Sequence, residues 1–134
     1  MARLNDKVVL ITGGASGLGK SGATLMNAEG AKVIISDINE DLGKATSAEI
    51  GDDVLFVHHD VSSLADWDRV IDLVIERFGR LDVLVNNAGI VVVADVENTT
   101  LSDWRAVHGV GTDGTFFGIQ KGIGVMRESG GGSI

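Results

Sequence analysis

The 134-residue sequence contains no cysteine, no proline and no tyrosine, and aromatic residues make up only 4% of it. Without cysteine, the chain can form neither a disulfide bond nor a thiolate metal site. The missing tyrosine removes the phenol from the proton donors and acceptors of the chain. Basic residues are also few, since 11 Lys and Arg against 19 Asp and Glu give a net charge of −8. Nucleic acid and anionic membranes are therefore not expected partners.

Apolar residues nevertheless make up 44% of the sequence, which predicts one folded domain with a single core. The first ten residues contain no apolar stretch of the kind found in signal peptides, because Asn5, Asp6 and Lys7 interrupt it. We therefore expect a cytoplasmic protein.

Short runs of β-branched residues alternate with helix-length segments, which is the pattern of an α/β fold with a doubly wound parallel sheet. Strands are predicted near residues 8–11, 33–36, 54–58 and 81–85. Helices are predicted near residues 18–29, 40–50 and 64–78, with a fourth from about 100 to 127. Ser63 and Asp66 resemble a capping box at the start of the third helix. Ser133 and Ile134 look like the start of a fifth strand, so the fold is expected to be truncated after the fourth helix.

The fourth predicted helix is unusual because it contains six glycines, each of which opposes helix formation by about 1 kcal/mol. Four of them fall on one face, where another helix could approach closely: Gly111, Gly114, Gly118 and Gly122. This face is explained either by packing within the chain or by a subunit interface, and we expect a homo-oligomer through this helix. A membrane span is not expected, because Arg105, Asp113 and Lys121 interrupt the segment.

A glycine-rich loop, TGGASGLG, follows the first predicted strand and leads into the first predicted helix. Glycine can adopt positive φ and allows backbone N–H groups to approach an anion closely. The following helix adds unpaired N–H groups and the positive end of its dipole. Gly13, Gly17 and Gly19 form G-x-x-x-G-x-G, which predicts a Rossmann-type dinucleotide site.

The same loop also satisfies a second motif. Residues 14–21 form G-x-x-x-x-G-K-S, the P-loop motif, in which Lys20 and Ser21 would contact phosphate and magnesium. A P-loop nucleotide-binding module that starts at Gly14 is therefore an alternative function. The loop alone does not distinguish hydride chemistry from phosphoryl chemistry.

Three further motifs follow the other predicted strands. Asp37 ends the second strand, where a carboxylate would accept hydrogen bonds from the adenosine ribose and repel a 2′-phosphate, which favours NAD over NADP. The pair Asp60-Val61 closes the third strand, and the sequence Asn-Asn-Ala-Gly at 86–89 closes the fourth. Because ligands bind beyond the carboxyl ends of parallel strands, all three are expected to line one crevice with the glycine loop.

In this combination the chain resembles the short-chain dehydrogenase/reductase family, and within it the bacterial NAD-dependent hydroxysteroid and secondary-alcohol dehydrogenases. The resemblance implies that residues 1–134 are the NAD-binding portion of a single Rossmann domain. Full-length members transfer a hydride between a secondary alcohol or ketone and NAD(H). The cofactor-binding residues that the resemblance implies are Gly13, Ser16, Gly17, Leu18, Gly19, Asp37, Ile38, Asp60, Val61, Asn87, Ala88 and Gly89. Asn86 is expected to be structural.

The chain departs from the family at its catalytic residues. The family's V-N-x-x-G pattern appears at 110–114 with Gly111 in the place of the catalytic Asn. The family's Ser, Tyr and Lys follow a completed fifth strand, and the chain has no counterpart of them. We therefore predict no catalytic residue and no activity for this chain alone. A non-catalytic interaction fragment that assembles through the fourth helix is a further alternative.

A metal site is not predicted. His58, His59 and Asp60 are adjacent, but successive strand residues point to opposite faces, so the two imidazoles should diverge. Trp67 and Trp104 lie on amphipathic helices and are predicted to be core anchors.

Overall fold

The computed structural model describes residues 2–134, in which parallel strands and helices alternate as predicted. In chain order the elements are β1 (Val8–Thr12), α1 (Gly17–Ala28), β2 (Lys32–Asp37), α2 (Glu40–Ile50), β3 (Leu55–His58), α3 (Leu64–Phe78), β4 (Val83–Val85), a 3₁₀ turn (Val96–Asn98), α4 (Leu101–His108), a π-helical turn (Gly109–Asp113) and α5 (Gly114–Glu128). The sheet order is β3-β2-β1-β4, and every neighbouring pair is parallel. The strand order therefore reverses direction between β1 and β4, which is where open α/β sheets bind ligands.

The β4 end of the sheet carries the beginning of a further strand. Ser133 forms a parallel bridge with Val83, and the Leu84 amide donates to the Ser133 carbonyl at 2.9 Å. The predicted start of a fifth strand is thus confirmed, while β4 itself begins two residues later than predicted.

Side chains alternate between the two faces of the sheet, and each face has its own buried cluster. Val8 and Leu10 of β1 pack with the apolar side of α3 and with Met126 of α5. Val9 and Ile11 pack on the other face with Ala23 of α1 and its neighbours. Helices therefore cover both faces, which is why all five residues of β1 are buried. This is the predicted doubly wound Rossmann-type fold.

The fourth predicted helix is present but is divided by the π-helical turn into α4 and α5. Gly111 lies in that turn, with no atom within 4 Å of where its Cβ would be, so it is not on the packed glycine face. The other three glycines are buried within the chain, where an added Cβ would meet Val61 for Gly114, Trp67 for Gly118 and Leu84 for Gly122. The glycine face is thus explained by packing within the chain, and it is not available to a second subunit.

The other side of the fourth helix is apolar and exposed. This exposed apolar stripe consists of Leu101, Trp104, Phe116, Ile119 and Ile123. Trp104 was predicted to be a core anchor, and this is wrong, because its side chain is 58% exposed and stacks on His108 with ring centroids 4.1 Å apart. The same prediction is confirmed for Trp67, which is fully buried. None of the helices in residues 2–134 is long and apolar enough to cross a membrane.

Candidate cofactor-binding site

A cleft of about 430 Å³ lies at the carboxyl ends of the strands. Nine of the twelve residues that the sequence predicted for the cofactor line it: Gly13, Ser16, Asp37, Ile38, Asp60, Val61, Asn87, Ala88 and Gly89. His59, Ile90 and Val110 also line it and were not predicted. The structure therefore brings the ends of all four strands to one cleft.

The glycine loop forms one wall of the cleft. Gly13 has φ +64°, and a Cβ on it would lie 2.9 Å from the Ala88 Cα, so a side chain here would both strain the backbone and fill the gap to the β4 loop. The Gly14 amide donates to the Ser36 carbonyl at 3.0 Å, which holds the loop against the end of β2. The loop is therefore fixed on both sides by backbone contacts.

The helix α1 begins directly behind this loop. Ser16 is its N-cap residue, but the Ser16 side chain makes no capping hydrogen bond, so no side chain caps the first turn. Gly17, Leu18 and Gly19 form that turn and are not among the residues that line the cleft, although they were predicted to bind the cofactor. Leu18 is 85% exposed, and a Cβ on Gly19 would collide with the carbonyl oxygen of Gly13. Gly19 is thus needed for the close approach of the helix to its own loop.

Asp37 connects the end of β2 to the glycine loop. Its Oδ2 accepts from the Ala15 amide at 3.2 Å, and its Oδ1 accepts from the Asn39 amide at 3.0 Å. Asp37 is half-buried and lines the cleft, beside the exposed Ile38. Its carboxylate is thereby held at the edge of the cleft in one orientation.

Asp60 and Val61 form the turn between β3 and α3. The Asp60 Oδ1 accepts from the Ser62 amide at 3.0 Å and from the Ser62 hydroxyl at 2.6 Å. The Val61 carbonyl accepts from the Trp67 indole at 2.9 Å. The predicted capping box is only half formed here, because Ser63 accepts from the Asp66 amide while the Asp66 carboxylate bonds to the Asp60 amide.

Residues 86–89 are held against the glycine loop. The Asn87 side-chain amide donates to the carbonyl oxygens of Thr12 and Gly13 at 3.0 and 3.1 Å. The Thr12 hydroxyl accepts from the Asn87 and Ala88 amides at 3.1 and 3.0 Å. Sequence reasoning assigned Thr12 only to the motif, although it joins β1 to the β4 loop. Asn86 lies behind, and its buried Oδ1 has no hydrogen-bond partner among residues 2–134.

His59 is a buried residue of the cleft that sequence reasoning considered only as a metal ligand. Its Nδ1 lies 3.0 Å from the Ser36 hydroxyl, and its ring meets Trp67 edge-on with centroids 4.5 Å apart. Burial lowers the pKa of His59 to about 4, so the ring is neutral at physiological pH. His58 is exposed, so the two imidazoles diverge as predicted. Residues 2–134 contain no group of three or more potential ligands arranged to hold a metal ion.

The geometry gives the P-loop interpretation no support. The Lys20 ammonium forms an ion pair with Glu49 of α2 at 2.7 Å and does not line the cleft. Ser21 is exposed on α1. Lys20 is therefore half-buried, and its ion pair with Glu49 connects α1 to α2.

Comparisons with known proteins agree with this geometry. The family model described as short chain dehydrogenase matches residues 7–134. The 3-beta-hydroxysteroid dehydrogenase of Comamonas testosteroni is 49% identical over 132 residues, covering 98% of this chain and 52% of that protein. The NADP-dependent (R)-specific alcohol dehydrogenase of Lentilactobacillus kefiri is 42% identical over 130 residues, covering 96% of this chain and 52% of that protein.

A solved structure shows the same fold. The 3-ketoacyl-(acyl-carrier-protein) reductase from Brucella melitensis, complexed with NADH, matches with a TM-score of 0.90 and 36% identity. The match covers 95% of this chain and 52% of that chain. The chain thus spans about half the length of the curated relatives it matches.

Proposed function

The chain belongs to the short-chain dehydrogenase family, and we propose that residues 1–134 form the NAD-binding half of a single Rossmann domain. The observation that carries the proposal is the convergence of the glycine loop, Asp37 and the Asp60-Val61 turn on one cleft. Each has the chemistry that one part of a dinucleotide requires, and they follow one another along the cleft wall.

The residues present fit this cofactor. The first turn of α1 would bind the pyrophosphate through its N–H groups, since no side chain caps them. Asp37 would accept hydrogen bonds from the adenosine ribose, and the Asp60-Val61 turn would contact the adenine, with Ile38 beside it. Residues 87–89 would lie along the nicotinamide side. Gly13 lines the cleft, and its lack of a side chain lets residues 87 and 88 lie against the glycine loop, which keeps both walls of the cleft together.

NAD is proposed over NADP because of the charge at the ribose end of the cleft. Asp37 presents a carboxylate where a 2′-phosphate would lie, and Ser16 and Ile38 offer no positive charge nearby. The relative from Lentilactobacillus kefiri is named as NADP-dependent, so the choice of cofactor depends on these residues and not on the family.

The whole protein is proposed to transfer a hydride between a secondary alcohol or ketone and NAD(H), as the names of its relatives suggest. Bound NAD would supply the hydride acceptor. Residues 2–134 would bind and orient it, and they would exclude water from the buried side of the cleft. They supply no acid or base for the alcohol, since Gly111 has no side chain and the sequence has no tyrosine. The 134-residue chain alone is therefore proposed to bind cofactor without turnover.

Assembly and location are further parts of the proposal. The exposed apolar stripe on the fourth helix supports a homo-oligomer, since large exposed apolar patches promote association. The net charge of −8 supports a protein that binds neither nucleic acid nor anionic membranes, and a cytoplasmic location is proposed with it.

The test is a calorimetric titration of NAD and NADP into the chain and into Asp37→Ala. NAD is expected to bind more tightly, and Asp37→Ala should weaken NAD about tenfold or more, because hydrogen bonds to a charged group contribute about 1.5 to 3 kcal/mol. Asp41→Ala is the matched control, as Asp41 is an exposed acid on α2 that does not line the cleft. Equal or tighter binding of NADP by the unmutated chain would show that the cofactor assignment is wrong.

A further inference from the structure

Four hydrogen bonds hold Asp60 in the turn between β3 and α3. The Asp60 carbonyl accepts from the Ser63 amide at 3.1 Å. The Asp60 amide donates to Oδ2 of Asp66 at 2.8 Å. Both hydrogen bonds from Ser62 go to Oδ1 of Asp60. Asp60 lines the cleft, and because Ser62 holds Oδ1, the other oxygen, Oδ2, is available to a ligand there.

The Asp66 carboxylate is held by the guanidinium of Arg69. Its Oδ1 accepts from Nε of Arg69 at 3.0 Å, and the same guanidinium donates to the carbonyl oxygen of His58, the last residue of β3. Burial would raise the pKa of Asp66, but the hydrogen bonds from Arg69 and from the Asp60 amide outweigh this effect and hold it below its usual value. Asp66 is therefore a carboxylate at neutral pH, and it connects the end of β3 to the Asp60 amide through charge-assisted contacts.

Asp66 does not line the cleft, so it cannot contact a bound cofactor directly. Its contact with the Asp60 amide also explains why the predicted capping box is incomplete, since the acid that would cap Ser63 bonds to the turn instead. Ser63 still accepts from the Asp66 amide at 3.2 Å and caps α3 by itself.

We propose that Asp66 is a positioning residue for the adenine subsite. It holds the Asp60 backbone in place through the Asp60 amide, so that the Asp60 carboxylate, which is bonded to Ser62, keeps one orientation and makes the cleft selective for the adenine amino group. This inference rests on the proposed function, in which Asp60 contacts adenine. The amino group of adenine is a donor, whereas hypoxanthine has a carbonyl oxygen at that position. A carboxylate held in one orientation accepts a hydrogen bond from the adenine amino group and repels the hypoxanthine carbonyl oxygen. A mobile carboxylate can turn away from that oxygen, so the preference for adenine over hypoxanthine is lost.

The experiment compares NAD with nicotinamide hypoxanthine dinucleotide, which differs at this one group. Both are titrated calorimetrically into the chain and into Asp66→Ala, Asp66→Asn and Asp66→Glu. The unmutated chain should prefer NAD by about tenfold or more. Asp66→Ala should reduce this preference to about threefold or less, mainly because it weakens the binding of NAD. Asp66→Asn keeps an acceptor oxygen and should retain most of the preference.

Two controls separate positioning from stability. Asp72→Ala removes an exposed acid from the same helix and should leave the preference unchanged. Amide hydrogen exchange should show faster exchange of the Asp60 amide in Asp66→Ala, with the α3 amides unchanged. If Asp66→Ala does not fold, Asp66→Glu decides, because it keeps the charge in the first turn of α3 while displacing the carboxylate, and it should lose the preference.

The outcomes distinguish the two proposals. If the unmutated chain binds neither dinucleotide, the proposed function is wrong and the positioning role is wrong with it. If it binds NAD without preferring it over the hypoxanthine analogue, or if folded Asp66→Ala or Asp66→Glu keeps the full preference, the positioning role alone is overturned.

Discussion

The buried carboxylate of Asp82 accepts a hydrogen bond from the Val8 amide at 2.9 Å, at the end of the sheet opposite the cleft. This bond joins the start of β1 to the residue that precedes β4. Arg80 binds the same carboxylate through its guanidinium, with Nε at 3.0 and 3.1 Å from the two oxygens, and the Lys7 ammonium lies at 3.7 Å. One charged residue therefore reinforces the pairing of β1 with β4, beside the backbone hydrogen bonds between the two strands.

The first prediction concerns the pH dependence of stability. Burial would raise the pKa of Asp82, but the hydrogen bonds from Arg80 and Val8 and the nearby charges hold it below its usual value. Because the folded-state pKa is lower than the unfolded value of about 3.9, the stabilisation is complete above that value and is lost as pH falls through the folded pKa. Asp82→Ala should lower the free energy of unfolding at pH 7 by about 1 to 3 kcal/mol.

Urea denaturation of the unmutated chain and of Asp82→Ala between pH 3 and 7 measures this effect. The difference in free energy of unfolding between the unmutated chain and Asp82→Ala should become smaller towards pH 3. Asp52→Ala, at an exposed turn position, is the control and should show almost no difference. A difference for Asp82→Ala that is independent of pH would contradict the prediction.

The second prediction uses two glycines of α5. A Cβ at Gly118 would lie 2.8 and 2.9 Å from the six-membered ring of Trp67, so Gly118→Ala should destabilise the fold by about 1 to 3 kcal/mol. Gly124 has no atom within 4 Å of its Cβ position, so Gly124→Ala should be neutral or stabilising by up to about 1 kcal/mol. Thermal denaturation compares the two variants, and equal effects would show that Gly118 is not at a tight contact.

The third prediction concerns Lys20, the residue that a P-loop would need. Because Lys20 pairs with Glu49 and does not line the cleft, Lys20→Ala should change NAD affinity by less than about twofold and stability by about 0 to 1 kcal/mol. Glu49→Ala should reproduce both small effects. Calorimetric titrations with NAD and with ATP and magnesium measure this, and ATP binding that is lost in Lys20→Ala would revive the P-loop interpretation.

The fourth prediction is that the purified 134-residue chain shows no dehydrogenase turnover. A positioned acid or base typically contributes about 10² to 10⁴ in rate. Gly111 has no side chain and the sequence has no tyrosine, so neither can act as that acid or base. Gly111→Asn should therefore not produce activity. NADH production from a panel of secondary alcohols and hydroxysteroids is the assay. Sustained production that disappears in Gly13→Ala would mean that another residue acts as the base.

The fifth prediction is that the chain associates through the exposed apolar stripe. Phe116 is 58% exposed on α5, so Phe116→Glu should shift the chain towards monomer by placing a charge in the contact. Leu25→Glu, at an exposed apolar position on α1, is the control and should leave the association of the chain unchanged. Sedimentation velocity at several concentrations measures both. An unmutated chain that stays monomeric, or equal effects of the two variants, would contradict the prediction.

The succession of strands and helices along the chain and the position of Asp37 could be predicted from sequence, because local patterns indicate the elements and parallel topology gathers the strand ends. A β-branched run followed by a glycine loop predicts a strand and its turn without knowledge of distant residues. Asp37 ends such a run, and the carboxyl ends of parallel strands meet at one edge, so its place in the cleft followed from topology alone.

The partners of individual side chains could not be predicted, because they lie far away in sequence or compete with closer ones. Lys20 finds Glu49 only once α1 and α2 lie side by side. His59 is buried because Trp67 and Ser36 surround it, which no pattern around residue 59 indicates. The glycines of α5 indicated a close neighbour correctly, but only the fold shows that the neighbour belongs to the same chain.

The π-helical turn Gly109–Asp113 sets the angular phase between α4 and α5. One additional residue in a helix rotates all that follows by about 100°, which is the angle per residue at 3.6 residues per turn. The wider π-helical turn accommodates one extra residue, so deleting one residue there would leave an α-helical turn, and Trp104 and Phe116 would keep nearly the same relative orientation. Deleting one residue within α4 or α5 instead would rotate Trp104 relative to Phe116 by about 100° and divide the exposed apolar stripe, so the turn tolerates a change of length that the rest of the helix does not.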